Sequence, residues 1–281
     1  MSVIQSRRSF IFSPGTDPSM FGKALASGAD IVCVELEDGV APQHKDAARE
    51  NMLGIFAEPQ ADDGVERIVR INMLGSPEGE ADLSAVLDSA SPPPALMLPK
   101  VNAPEEVRRV AEALEGVGHT TRLQVIIETN PGLEAAYEIA QASKRVDALL
   151  FGGVDLAADL RCAYGWESLL YARSRVVHAA AGAGIDVIDV PWLDLGDEGG
   201  LRQEAEASAR LGFTGKGSIH PKQIAMINAI FSPSTEEVAY AKKVVAAFAE
   251  ADSGLVVVDG KLIELPVLRS MERILVKAER L

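Results

Sequence analysis

Along the chain, short apolar runs of strand length alternate with longer segments in which apolar residues recur every three or four positions, and the alternation repeats eight times. The runs at 9–13, 31–36, 67–71, 95–99, 123–128, 148–152, 185–190 and 217–219 are the predicted strands. Helical periodicity marks 19–27, 45–58, 104–114, 132–142, 168–181 and 201–211. The strand runs are apolar at successive positions instead of alternating, as parallel strands are when helices cover one face and packed side chains the other. Eight such units in 281 residues predict a closed (β/α)8 TIM barrel, an α/β fold. The alternative is an open doubly wound sheet, but the turn Ser13-Pro14-Gly15-Thr16 lacks the glycine fingerprint that such a sheet uses for phosphates.

Beyond the eighth unit the pattern changes. Ser232-Pro233-Ser234 interrupts the chain, 236–250 reads as a helix, 255–258 and 261–265 read as a hairpin around Asp259-Gly260, and a last helix follows Pro266. The expected division is a catalytic barrel over 1–231 and a C-terminal extension over 232–281 that caps one end or reaches a neighbouring subunit.

Charge narrows the range of partners. With 27 basic and 41 acidic residues the net charge is −14, which disfavours phosphate backbones and anionic membrane surfaces, so neither nucleic acid nor membrane is expected as a partner. An anionic substrate would need locally concentrated arginine, lysine or metal. Cys33 and Cys162 form no CxxC pair, and the N-terminal stretch lacks the apolar segment of a secretion signal. A reducing, cytoplasmic setting is expected.

In a barrel of this kind the C-terminal strand ends carry the chemistry. Those positions hold Glu37 and Asp38 after strand 2, Arg70 in strand 3, Lys100 after strand 4, Glu128 ending strand 5, Asp155 after strand 6 and His220 after strand 8. Glu128 and Asp155 follow stretches too apolar to be surface, and a shared hard cation, Mg2+ or Mn2+, relieves two buried carboxylates. The alternatives are that each pairs with an arginine or that Asp155 caps a helix near Leu156. Arg70, charged inside an apolar strand, needs an anion: Glu37, Asp38 or a substrate carboxylate. Lys100 either holds a substrate anion, forms a Schiff base or is a solvated loop lysine. Glu35 is the weakest acid of its cluster, His220 reads as a hydrogen-bonded structural residue, and Cys33 as core packing.

The same segments resemble the citrate lyase beta-subunit-like proteins of the HpcH/HpaI aldolase superfamily, over residues 7 to about 275. The carrying stretches include Arg7-Arg8-Ser9, Ser13-Pro14-Gly15, Glu35-Leu36-Glu37-Asp38-Gly39-Val40-Ala41-Pro42, Val69-Arg70-Ile71-Asn72 and Leu98-Pro99-Lys100. Further along stand Ile127-Glu128-Thr129, the run Gly152-Gly153-Val154-Asp155 with Leu156-Ala157-Ala158-Asp159-Leu160, and Ile219-His220-Pro221. The resemblance implies a magnesium-dependent barrel lyase that splits a 3-hydroxyacyl-coenzyme A thioester such as malyl-CoA or citramalyl-CoA into an acyl-CoA and a 2-oxoacid. It also implies the reverse condensation, with or without thioesterase activity. It assigns Glu128 and Asp155 as metal ligands, Arg70 to the substrate oxygens and Asp38, with Glu37, to their support. It also implies a homotrimer or hexamer in which an acidic residue near the C-terminus, here Glu264 in place of the usual aspartate, enters a neighbour's site. Asp17 stands where many relatives have arginine, Gly39 where alanine is common and Glu35 where aspartate is common. Asp17 keeps open a 2-oxoacid aldolase acting on a free acid, and the family also contains beta subunits acting on a carrier-bound citryl thioester. A non-catalytic barrel is opposed by the joint presence of Arg70, Glu128 and Asp155.

Overall fold

A computed structural model describes residues 6–251 and 254–281. Eight parallel strands close on one another in chain order: β1 (Ser9–Pro14), β2 (Ile31–Glu35), β3 (Glu66–Arg70), β4 (Ala95–Leu98), β5 (Arg122–Ile127), β6 (Val146–Phe151), β7 (Asp186–Asp189) and β8 (Gly215–Ser218). Pairing of Ser9 with Lys216 and of Phe10 with Gly217 shuts the barrel. Each expected strand is present within about two residues of its expected ends.

Alternation explains why both faces of the strands are apolar. Ile31 and Cys33 turn inward with Phe10, Ile68, Met97 and Ile188 to fill the barrel. Val32 and Val34 turn outward into the layer beneath the helices. Cys33 is therefore core, as its apolar run suggests.

Pro77–Leu87 and Ile224–Phe231 are helices outside the periodic segments named above, and Gly153–Asp159 is the helix expected near Leu156. The first opens with Pro77-Glu78-Gly79-Glu80, which hides its apolar stripe. Its glycine is required, because a Cβ there would lie 2.1 Å from the Met73 carbonyl oxygen. The expected helix over 132–142 is two short ones, Asn130–Glu134 and Ala136–Ala140, the first started by Thr129, whose hydroxyl accepts the Gly132 N–H.

The N-terminal mouth is closed by ion pairs. Arg7 donates to Glu66 at 2.7 Å and to Asp147 at 2.6 Å, and Arg122 meets the same two acids. After the barrel come helix Thr235–Ala249, strands β9 (Leu255–Val258) and β10 (Lys261–Glu264), and helix Leu265–Glu279. Val258 and Ile263 of the hairpin are buried against Val244. No described helix is long and apolar enough to cross a membrane.

A charged quartet joins β7 and β8 to their helices. Lys216 donates to Asp189 at 2.9 Å and Glu204 at 2.7 Å, and Arg173 donates to Asp189 at 3.0 Å and lies 3.4 Å from Glu204. All four side chains are buried, and the set is neutral only while complete. Lys216→Met should destabilise the fold by roughly 3–5 kcal/mol in urea unfolding, since it leaves two buried carboxylates against one arginine. Adding Glu204→Gln should recover part of the loss.

Candidate active site

The C-terminal ends of β2 to β6 bring six of the expected residues to one end of the barrel. At the end of β5, Glu128 is 3% exposed. Its Oε1 accepts the Lys100 backbone N–H at 2.8 Å, and among the described residues no arginine or lysine side chain pairs with it. Burial, followed by the charge of Asp155, pushes its pKa up to about 7. Gly152 makes this position available, because a Cβ there would lie 2.5 Å from Glu128 Oε2.

Asp155 stands in the first turn of helix Gly153–Asp159, whose cap is Gly152, so the aspartate does not cap that helix. It is exposed to a cleft that also receives Glu128 and Arg70. Neither structural alternative for the pair, an arginine partner or a capping role, is met among the described residues. Two converging carboxylates and no imidazole or thiolate form a donor set for a hard divalent cation, with positions left for water and substrate oxygens.

Arg70 ends β3, where register places it beside Glu35 of β2. Its Nε donates to Glu35 Oε2 at 2.6 Å, Nη1 lies 3.4 Å from Glu37, and the guanidinium rests 4.4 Å above the Phe12 ring. Burial opposes the charge, but Glu35 outweighs it and raises the arginine's pKa. The expected pairing with Glu37 is present as the longer contact, the shorter one is to Glu35, the acid ranked weakest, and Asp38 pairs with Lys100 instead. Strand adjacency, which pairs Glu35 with Arg70 in register, is the signal that the two would meet. Burial pushes the Glu35 carboxyl up even so, with Arg70 opposing.

Lys100 has a left-handed backbone, φ 53°, which aims its N–H at Glu128 while its side chain turns back over β2. There Nζ bonds Glu37 and both oxygens of Asp38, the latter at 3.0 Å. Burial works against its charge, but these acids raise its pKa, so the amine is held protonated. A protonated lysine clamped by two carboxylates cannot serve as a Schiff-base nucleophile. It does not line the cleft, and it links Asp38 and Glu37 to Glu128.

Lys45 was missed by sequence reasoning. Its Nζ donates to the carbonyls of Leu36 and Glu37 at 2.8 and 2.6 Å and to Asn72 Oδ1 at 2.6 Å, which fixes the acidic loop. Nothing in its surroundings in the sequence, at the start of a helix, singles it out. His220 Nδ1 accepts the Lys222 N–H at 3.1 Å, the structural role expected of it. Asp17 is exposed and accepts both the backbone N–H and the hydroxyl of Ser19. Glu264 is not brought to the others: it lies exposed at the end of β10 and lines no part of this chain's cleft.

The cleft encloses roughly 720 Å³ open to solvent. Arg70, Glu128 and Asp155 line it together with the apolar Leu150, Ile188, Val190 and Pro191. The arrangement can chelate an oxygen-rich anion through a cation and stabilise negative charge on oxygen beside Arg70.

Residues 8–221 match the family model described as HpcH/HpaI aldolase/citrate lyase. The chain is 35% identical over 287 residues to the citrate lyase subunit beta of Escherichia coli (strain K12), covering 98% of this chain and 94% of that protein. It is 35% identical over 299 residues to the L-malyl-CoA/beta-methylmalyl-CoA lyase of Rhodobacter capsulatus, with 96% and 93% covered. Among solved structures it is similar to the protein CitE from Mycobacterium tuberculosis in complex with magnesium, acetoacetate and coenzyme A. That likeness has a TM-score of 0.80 and 31% identity, with 98% of each chain covered.

The Glu128 shift has a measurable consequence without any ligand. Because its folded pKa is raised from 4.5 to about 7, the group favours the native state fully below pH 4.5, and that advantage is lost as the pH rises through 7. Glu128→Gln keeps the Oε1 acceptor for Lys100 and removes the titration. At pH 8 the metal-free variant should exceed the parent in stability by on the order of 3 kcal/mol. The difference should close toward pH 4.5 in thermal melts, and a parent as stable as the variant at pH 8 would contradict the unrelieved buried charge.

Proposed function

The chain belongs to the HpcH/HpaI aldolase/citrate lyase family, and from that premise we propose that it is a magnesium-dependent carbon–carbon lyase acting on 3-hydroxyacyl-coenzyme A thioesters. The observation that carries this reading is the convergence of Glu128, buried and without a cationic side chain, with Asp155 and Arg70 in one cleft. Glu128 and Asp155 would hold Mg2+, with Mn2+ as the substitute, and the cation would supply Lewis acidity toward the oxoacid portion.

The chain's own groups then act on the substrate. In the cleavage direction the 3-hydroxyl passes its proton to water in the open cleft, and its oxygen becomes the 2-oxo group of the departing acid. The C2–C3 bond breaks, and its electron pair passes to the carbon beside the thioester carbonyl. Arg70 stabilises the oxygen charge, with Glu35 and Phe12 holding its plane. Glu37 and Asp38 act through Lys100, whose backbone N–H orients Glu128. Coenzyme A enters as part of the substrate and leaves as acyl-CoA, or as free thiol if water attacks the thioester.

The acyl carbon must also gain a proton, and the described cleft shows no free acid placed for it. Glu264 supplies that group from a neighbouring copy in a homotrimer or hexamer, with 1–231 as the catalytic barrel and 232–281 as the extension that reaches across. The exposed Val257, Leu262 and Leu265 around it support an interface there. Two free cysteines support a reducing, cytoplasmic setting. One observation favours a second reading, a free 2-oxoacid or a carrier-bound thioester: the exposed acid Asp17, where many relatives carry arginine.

Turnover of malyl-CoA and citramalyl-CoA, followed by 2-oxoacid and thiol release, should proceed with magnesium and stop with excess EDTA. Glu128→Gln should lose at least a hundredfold. No turnover of either thioester would move the reading to free acids or a carrier. Glu264→Ala should slow turnover at least tenfold with magnesium binding unchanged by calorimetry, and an unchanged rate would confine the extension to assembly.

A further inference from the structure

We propose, resting on the lyase reading above, that the 2-oxoacid handled by this site is a monocarboxylate with a small alkyl group, and that dicarboxylic 2-oxoacids are rejected. The lining of the cleft combines the charged Arg70, Glu128 and Asp155 with the apolar Leu150, Ile188, Val190, Pro191, Leu193 and Ile219. Those six side chains carry neither a hydrogen-bond donor nor a charge.

The remaining acid at the cleft, Asp189, is 2% exposed and turned away, bound by Arg173, Ser208 and Lys216. A 2-oxoacid brings one carboxylate that the cation and its adjacent oxygen site satisfy. A second carboxylate needs a second cation, and each nearby one is already matched. Arg70 faces Glu35 and Glu37. Lys100 is held by Glu37 and Asp38, and Lys45 by two carbonyls and Asn72. Lys216 is buried with Asp189 and Glu204. The second carboxylate would therefore be left against the apolar lining or against acids, a burial without compensation. A methyl or ethyl substituent fits that lining and removes its apolar surface from water.

Leu193 offers a test that spares the core, since it is 48% exposed at the mouth of the cleft. Magnesium-dependent binding of pyruvate, 2-oxobutyrate, oxaloacetate and 2-oxoglutarate would be measured by calorimetry on the full chain, beside condensation with acetyl-CoA. Pyruvate and 2-oxobutyrate should bind at least tenfold more tightly than oxaloacetate. Leu193→Arg should shift the ratio of oxaloacetate to pyruvate affinity at least fivefold toward oxaloacetate. Oxaloacetate binding as well as pyruvate in the parent would overturn the proposal and leave the lyase reading intact if EDTA-sensitive turnover persists. An arginine at 193 that leaves that ratio unchanged would also overturn it. Failure of all four acids to bind with magnesium, together with no thioester turnover, would sink both.

Discussion

A carboxyl group taken out of water without a cation is the constraint around which this end of the barrel is arranged. Glu128 ends Val125-Ile126-Ile127, all three buried, so closure of the barrel desolvates it whatever its role. The protein offers it a single backbone N–H, from Lys100. That donor is itself bought with backbone strain, since a non-glycine residue at φ 53° costs on the order of 1 kcal/mol. The conformation persists because the lysine's other end is fixed on Glu37 and Asp38. Gly152 contributes by having no side chain where Glu128 lies. Each of these features serves to hold an ionisable oxygen in a fixed place while leaving its charge unmet.

Arg70 presents the complementary problem, a charge that needs a fixed anion inside an apolar strand. Its guanidinium is held between the face of Phe12 and the carboxylate of Glu35. A Cβ at Gly39 would lie 2.9 Å from Glu35 Cγ, so a glycine there keeps the loop clear of the acid that anchors Arg70.

The barrel was legible because strand length, apolar runs and helical spacing all point to the same fold, and each strand lies close to its expected place. The active end was legible as a set of residues, since polarity at a strand's C-terminal end stands out against the run before it. Pair assignments were less so. Glu37 and Asp38 looked like the partners of Arg70 because they are the outermost acids, whereas the neighbour is decided by strand register, which pairs Glu35 with Arg70. Lys45 could not be found at all: its bonds run to carbonyl oxygens, which every residue has. Glu264 has a role only if a second chain is near, and one chain's fold carries no information about that geometry.

The charge balance of the cleft bears on how it fills. A chain of net charge −14 repels an anionic oxoacid at long range, and within the cleft Glu128 and Asp155 repel it again. Arg70 alone does not reverse this, because Glu35 and Glu37 already neutralise it. On the proposed reading, a divalent cation held by Glu128 and Asp155 would relieve Glu128 of its unmet charge and turn a repellent part of the cleft into one that attracts a carboxylate. The desolvated glutamate thus stabilises nothing by itself, and its value lies in the affinity that its discomfort gives to the ion.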